Sequence, residues 1–543
     1  MRRLLAVCAA LILGVGLWPS SQTVLAADVS VQQTLINADR AAAALAPLSW
    51  SSCLAAVAVQ NAQRIMTQAY LSHTNGPTLD LDCGQGATQG GENIAYMSGG
   101  INDTQANTMF MNSPPHKANI LGPYQYVATA WAVAPNGYAY IAEEFLGASA
   151  TVVPGGYRPL APSRILDTRT GIGGVPVAPI GPNATLTVQV AGRGGVPSTG
   201  VGAVVLNVTV TDTSAPSYLT VYPTEDPRPT VSNLNWVAGQ TTPNLVQVAV
   251  RQSGQLTIYN AGGSANVIFD VAGYVPLITG TPGPDGLYTP LVPARLLDTR
   301  NGTGAVAGPV LGGSTLTLQV TGRGGVPSMG VAAVVLNVTV TSPTTVGHLT
   351  VFPAGTALPL ASNLNFVAGQ TVPNRVTVML GAGGQVAIFN SAASVQIIAD
   401  VSGWFTDSTI PAATGSVFTG VTPVRILDTR SGIGGFSSPV GPAATIAVTV
   451  AGCGGVPLMT STSPVPPTAV VLNVTVTNAT AGGYVTLFPD GAAQPTTSDL
   501  NFTAGQTIPN LVVVRVGANG KLDIYNAGGT TDVIADVVGW YGG

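Results

Sequence analysis

Two imidazoles and one carboxylate lie within forty-four positions of one another, in a chain that has only three histidines. His73 sits in LSHTNG, Glu92 in GGENIAYMSGG and His116 in MFMNSPPHKANIL. Imidazoles and carboxylates are the side chains that bind zinc and that move protons near neutral pH. The three residues therefore offer two chemistries: zinc held by His73 and His116, or Glu92 as a base acting on water. A plainer reading stands beside both. Glu92 bonds backbone amides to brace a glycine-flanked loop, and the histidines hydrogen-bond inside a polar pocket. The remaining histidine, His348, is isolated in GHLTVF and suggests no site. No Ser or Cys nucleophile can be grouped with a base and an orienting acid.

The elements that must carry these residues are legible around them. Ser30 and Gln33 form a capping-box start, and Leu35, Ala38, Ala42 and Leu45 recur at helical spacing until Pro47. A second helix is expected over 52–70, with Leu54, Ala58, Asn61 and Ile65 on one side. Ser113-Pro114 reads as a cap followed by proline at the first helical position, which places His116 in the first turn of a helix ending near Leu121. The dipole at that end disfavours a positive charge and favours neutral imidazole. Strands are expected over 127–134 and 138–145, joined by a turn at Pro135-Asn136-Gly137.

Taken in order, Asn37, Arg40, Pro47-Leu48-Ser49-Trp50, His73, Gly91-Glu92-Asn93-Ile94-Ala95, Ser113-Pro114-Pro115-His116 and Asn119-Ile120-Leu121 resemble the CAP superfamily. This is the SCP or pathogenesis-related-1-like group, in its bacterial form. The resemblance spans residues 28–148 and implies an α-β-α sandwich with an open cavity lined by two histidines and two acids. Carried over by motif, His73, Glu92 and His116 are three of the four. Relatives carry Trp-x-x-Glu before the second histidine, where this chain has Phe110-Met-Asn-Ser113. Glu143 or Glu144 in YIAEEF is the alternative source of the fourth acid.

Residues 1–27 read as a secretory signal peptide: Arg2 and Arg3, then an apolar run over 4–18, then small residues at Val24, Ala26 and Ala27. No later stretch is apolar for the roughly 18 residues that a transmembrane helix needs. The mature chain is thus expected outside the cell, secreted or held non-covalently at the envelope. Export makes a Cys53–Cys83 disulfide reasonable, since both lie in the first domain and bracket His73. Cys453 stands where two sister repeats have Arg193 and Arg323, a drifted position. Charged residues are 8% and the net charge is −4, with no basic run, so nucleic acid is a poor partner.

From Tyr157 a module recurs three times, over 157–275, 288–406 and 418–543. RILDTR at 164–169 returns as RLLDTR at 295–300 and RILDTR at 425–430, and VVLNVTVT is verbatim at 204–211, 334–341 and 470–477. NLNWVAGQTTPN at 233–244 returns at 363–374 and 499–510. Each copy ends on an Asp and a Gly-aromatic pair, as in Asp270, Gly273 and Tyr274. Alternation with period two, as in TLTVQV, predicts an all-β antiparallel sandwich per copy. At about 120 residues each copy is large enough to bury its own core, which predicts independent beads. Arg164, Asp167 and Asp270 are read as a network tying first strand to last. The modules resemble the RxLDTR-type β modules of secreted actinobacterial proteins.

The fold class expected is therefore multi-domain, a CAP-like α-β-α sandwich followed by three β-sandwich repeats. The function expected is binding of a small apolar or envelope-derived ligand in the His/Glu cavity, with the repeats attached to an envelope component or glycan. The alternatives are a zinc-assisted hydrolase using the same cavity, with Glu92 catalytic, and an adhesive protein with a vestigial cavity.

Overall fold

Apolar spacing and capping place the helices of the first unit, which spans 1–152. In this computed structural model the described residues are 24–25, 31–73, 80, 81, 83, 89–147, 152–392, 394–410, 414–459 and 465–543. The segment expected to be a signal peptide lies outside them except for Val24–Leu25. Helix α1 covers Val31–Ala42. It stops well before Pro47, with Ala44 in the left-handed region (φ 57°). Arg40 accounts for the early stop: its guanidinium donates to the carbonyls of Ala46, Ile120 and Gly122, each at 2.8 Å. Helix α2 covers Ser52–Gln68, capped by Ser51, whose hydroxyl accepts from the Leu54 N–H. Cys53 at its start is disulfide-bonded to Cys83, as expected.

The sheet comprises β1 (Val24–Leu25), β2 (Ser49–Trp50), β3 (Gly90–Met97), β4 (Tyr124–Val133) and β5 (Ala139–Gly147), with β5 central between β4 and β3. The pleat sends alternate residues to opposite faces. Ile94, Ala130, Tyr140 and Ala142 pack on Ala58, Ala62 and Ile65 of α2. Ala95, Met97, Trp131, Ile141 and Phe145 pack on Ile36 of α1, Phe110 of α3 (Asp103–Asn112) and Ile120 of α4 (Pro114–Ile120). Helices thus cover both faces. One local expectation needs correction. The GENIA segment is a strand rather than a loop, because a strand buried on both faces can be apolar throughout. Helix α3 had no strong periodic signal, and Asn102 starts it by accepting from the Gln105 N–H.

The second unit spans 153–543. In the first copy, strands Arg158–Asp167, Asn266–Thr279, Val201–Thr211 and Thr242–Ala249 belong to one antiparallel sheet. Strands Ala184–Gln189, Gln255–Asn260, Ser217–Pro223 and Leu234–Trp236 form another. Leu206, Val208, Val221, Ile258 and Phe269 are in the core they share. Arg164 pairs with Asp270 of the last strand at 2.9 Å and reaches Asp167 at 3.4 Å. Arg295–Asp400 and Arg425–Asp536 repeat the link in the other copies. Arg169 joins it by folding back onto Asp167, because the chain turns where the strand ends.

The three copies are not separate beads. Val205, Val335 and Val471 of the verbatim motif point away from their own cores into one shared cluster, with Tyr157, Tyr288, Phe405, Phe418 and Tyr541. Buried asparagines close a ring around it. Asn374 donates to Asn207 at 2.9 Å, Asn510 to Asn337 at 3.0 Å and Asn244 to Asn473 at 2.9 Å. The signal was present in VVLNVTVT, which is apolar on both faces over its first half and so must be covered twice.

Candidate functional site

Strand β3 carries Glu92 and Asn93 to opposite faces of the sheet, and the register sets Glu92 against Glu144 and Asn93 against Glu143. The two acids of YIAEEF are thereby separated. Both are fully buried. Glu143 is committed to amides: Gln32 donates at 2.6 Å and Asn93 at 2.9 Å. Burial raises its carboxyl to about 7, against those two bonds. Glu144 lies on the Glu92 side and accepts from Asn61 of α2 at 2.8 Å.

Asp80 joins Glu144 there. It is fully buried, and among the described residues no basic side chain pairs with either. Burial raises Asp80 to about 8, with the nearby Glu92 charge adding to the rise and a hydrogen bond to Glu144 opposing it. Glu144 is held well above its ordinary value by burial and by the Asp80 and Glu92 charges. Burial thus favours the protonated form of both carboxyls. Sequence reading missed Asp80, since LDLD offers no spacing that marks it.

Of the three residues expected to form the site, two touch. His73 Nδ1 lies 3.1 Å from Glu92 Oε1, with the His73 side chain half exposed and that of Glu92 buried. His116 stands on the first turn of α4, its ring edge-on to Phe110 at 5.1 Å. Burial holds His116 below the usual imidazole value and the nearby His73 adds to this, so it favours the neutral form. Ser113 makes no side-chain cap bond, and Pro114 alone marks the start. Asn119 anchors α4 to the strand, donating to Glu92 O at 3.1 Å and Asn93 Oδ1 at 2.9 Å. Asn93 completes the tie through the His116 carbonyl at 3.2 Å.

A groove of about 970 Å3 runs between β3 and α3, with Leu71, Tyr96, Met97, Met109 and Phe110 in its wall and His116 also lining it. Tyr96 stacks parallel on Tyr138 at 6.0 Å. His73 and Glu92 do not line the groove. Among the described residues no group of three His, Cys, Asp or Glu is spaced to hold a metal ion. As arranged, His73, Glu92 and His116 do not form a zinc ligand set.

These features define a mostly β protein with a helix-covered N-terminal domain built around buried acids. Residues 33–145 match the family model CAP, the cysteine-rich secretory protein family, which supports a CAP-type N-terminal domain. No curated protein matches the chain. Solved structures with some likeness include a chain of Sulfolobus Turreted Icosahedral Virus, at 12% identity and TM-score 0.15, covering 72% of this chain and 90% of that one. Another is the N-terminal CBM22-1-CBM22-2 tandem domain of Paenibacillus barcinonensis Xyn10C, at 12% identity and TM-score 0.14, covering 46% of this chain and 99% of that one. At such TM-scores neither carries an argument about fold or function.

Proposed function

We propose that this is an exported binding protein whose N-terminal domain takes a small apolar or envelope-derived ligand. The observation that carries the reading is the groove with its apolar wall and a neutral imidazole, His116, in its lining. Such pockets bind through apolar contact and take their orientation from a few polar groups. The ligand's apolar body lies along Met97 and Met109, and its polar end is placed by His116. Methionine suits this wall because its flexible thioether adapts to irregular shapes. The three repeats hold the protein to an envelope component or glycan, as one body offering three related surfaces rather than as three tethers.

Filling the groove tests the ligand reading. Met97→Trp is expected to cut binding of a fluorescent long-chain alcohol probe at least tenfold, with the far-ultraviolet spectrum unchanged. Binding equal to that of the parent would place the ligand elsewhere. For the repeats, residues 153–543 are expected to sediment with isolated cell envelope, and their absence from the pellet would remove the anchoring role. The hydrolase alternative would use Glu92 as a base beside His73, and no single observation favours it over binding.

A further inference from the structure

The second unit breaks its own symmetry between the first and third copies, where Gln247 donates to Tyr541 Oη at 3.2 Å, and with charge at Arg375. Arg375 is among the largest fully buried side chains of the protein, and it stands where the other copies have Leu245 and Leu511. Its guanidinium meets Asp499 Oδ1 at 2.6 Å, Leu511 O at 3.1 Å and Ser402 Oγ at 3.2 Å. Asp499 stands where the other copies have Asn233 and Asn363, and Ser402 where they have Ala272 and Val538. Three departures from the repeat thus meet at one contact, between the second copy and the third.

The aspartate is not needed for its local role. Asp499 Oδ2 accepts the Leu487 N–H at 2.8 Å, and Asn233 and Asn363 accept Val221 and Val351 in the same way, each at 2.7 Å. What the charge adds is a partner for Arg375. The side chains are 2% and 8% exposed, so water does not neutralise either. A buried ion pair of this kind is a poor source of stability, but an unpaired one is strongly disfavoured.

We propose that the Arg375–Asp499 pair sets the order of the three copies around their common axis. Three nearly identical faces allow two cyclic orders, and the asparagine ring closes in both. In the observed order each copy presents the position of Arg375 to the copy that follows it. In the reverse order Arg375 would face Asn233 of the first copy, and Asp499 would face Leu245. Both charges would then be buried without a partner. The pair therefore acts by penalising the alternative, as a single buried polar residue does when it fixes register in a helical assembly.

The test removes the pair by restoring the repeat, with Arg375→Leu, Ser402→Ala and Asp499→Asn in the full-length chain. Order is read by cross-linking. Thr422 of the third copy donates to Asp226 of the first at 2.6 Å, so Thr422→Cys with Asp226→Cys, in a Cys453→Ser background, reports the observed order. After refolding from guanidinium, a short bismaleimide should join these two positions within most monomers when the pair is intact. In the symmetrised variant the intramolecular yield should fall at least twofold, with uncross-linked compact monomer or oligomers in its place. Equal yields would overturn the proposal. A symmetrised variant that fails to fold would overturn it too, because Leu, Ala and Asn already occupy these places in the first copy.

Discussion

Glu92 and Glu144 face each other across adjacent strands, and the buried Asp80 lies near enough for its charge to raise Glu144 further. The Asp80–Glu144 pair keeps a proton at a pH where ordinary carboxyls have lost theirs, with Asp80 raised to about 8. The unfolded chain gives that proton up above about pH 4. The folded state therefore binds more protons across pH 4–8, and stability falls as pH rises through that window. The slope is at most about 1.4 kcal/mol per pH unit for each retained proton. Hydrogen exchange of the β3 amides, corrected for intrinsic rate, should show lower protection at pH 8.5 than at pH 5. Asp80→Asn should reduce the difference, with Glu143 and Glu144 supplying what remains. An unchanged slope in that variant would mean the proton is held elsewhere.

The disulfide gives a second expectation. Cys53 and Cys83 close a loop of 30 residues that includes His73. On the chain-entropy model the bond contributes about 3–4 kcal/mol. Replacing both by serine should lower the melting temperature of the first unit by roughly 10 °C or more, at about 4–8 °C per kcal/mol for a domain near this size. Mass spectrometry of unreduced protein should find the pair linked and Cys453 alkylated. Two reactive thiols in the first unit would refute the assignment.

How far this site could be read from sequence differs residue by residue. The motif singled out Glu92 and His116, and proline at the first turn put His116 on a helix start, where it stands. YIAEEF, by contrast, offered two adjacent acids with no means of choosing between them. The choice is made by register with β3, a long-range fact that local spacing does not contain. Asp80 was invisible because its role depends on a partner 64 positions away. In the repeats the period of two fixed the strands correctly. The second apolar face of VVLNVTVT was the sign of contact between copies, but a copy of ordinary domain size gave no reason to expect one. Arg375 would have stood out only if a buried position had been suspected for it.

The imidazole–carboxylate contact yields a third expectation. His73 and Glu92 bond at 3.1 Å, and His116 has Phe110 against its ring. The His73 charge reaches His116, so zinc taken up by the first unit is expected at these two imidazoles. His73→Ala with His116→Ala should then abolish uptake, leaving the fold intact since neither histidine is fully buried. Calorimetric titration with zinc reads the loss directly. Uptake by the double variant equal to that of the parent would put the metal at other residues.

The last expectation concerns cooperativity in residues 153–543. The shared cluster draws Tyr157 from the first copy, Tyr288 and Phe405 from the second, and Phe418 and Tyr541 from the third. Tyr288 lies 4.2 Å from Tyr541 and 5.1 Å from Phe405, so the rings form one continuous aromatic contact. Removing the third copy would expose the faces of the other two, including Val205, Val335 and the Asn244 Oδ1 that accepts the Leu511 N–H. An apolar surface of that kind drives association. A chain ending at residue 410 should therefore self-associate, while the intact chain unfolds residues 153–543 in a single transition. A milder probe is Asn207→Ala, which takes away one of the two partners of the Asn374 amide, the Asn363 carbonyl remaining, and should cost about 1–3 kcal/mol. That loss should appear in the unfolding of all three copies together, read by hydrogen exchange in strands Val201–Thr211, Val331–Thr341 and Pro467–Thr477. Loss of protection confined to the first two copies, with the third unaffected, would return the modules to independent domains.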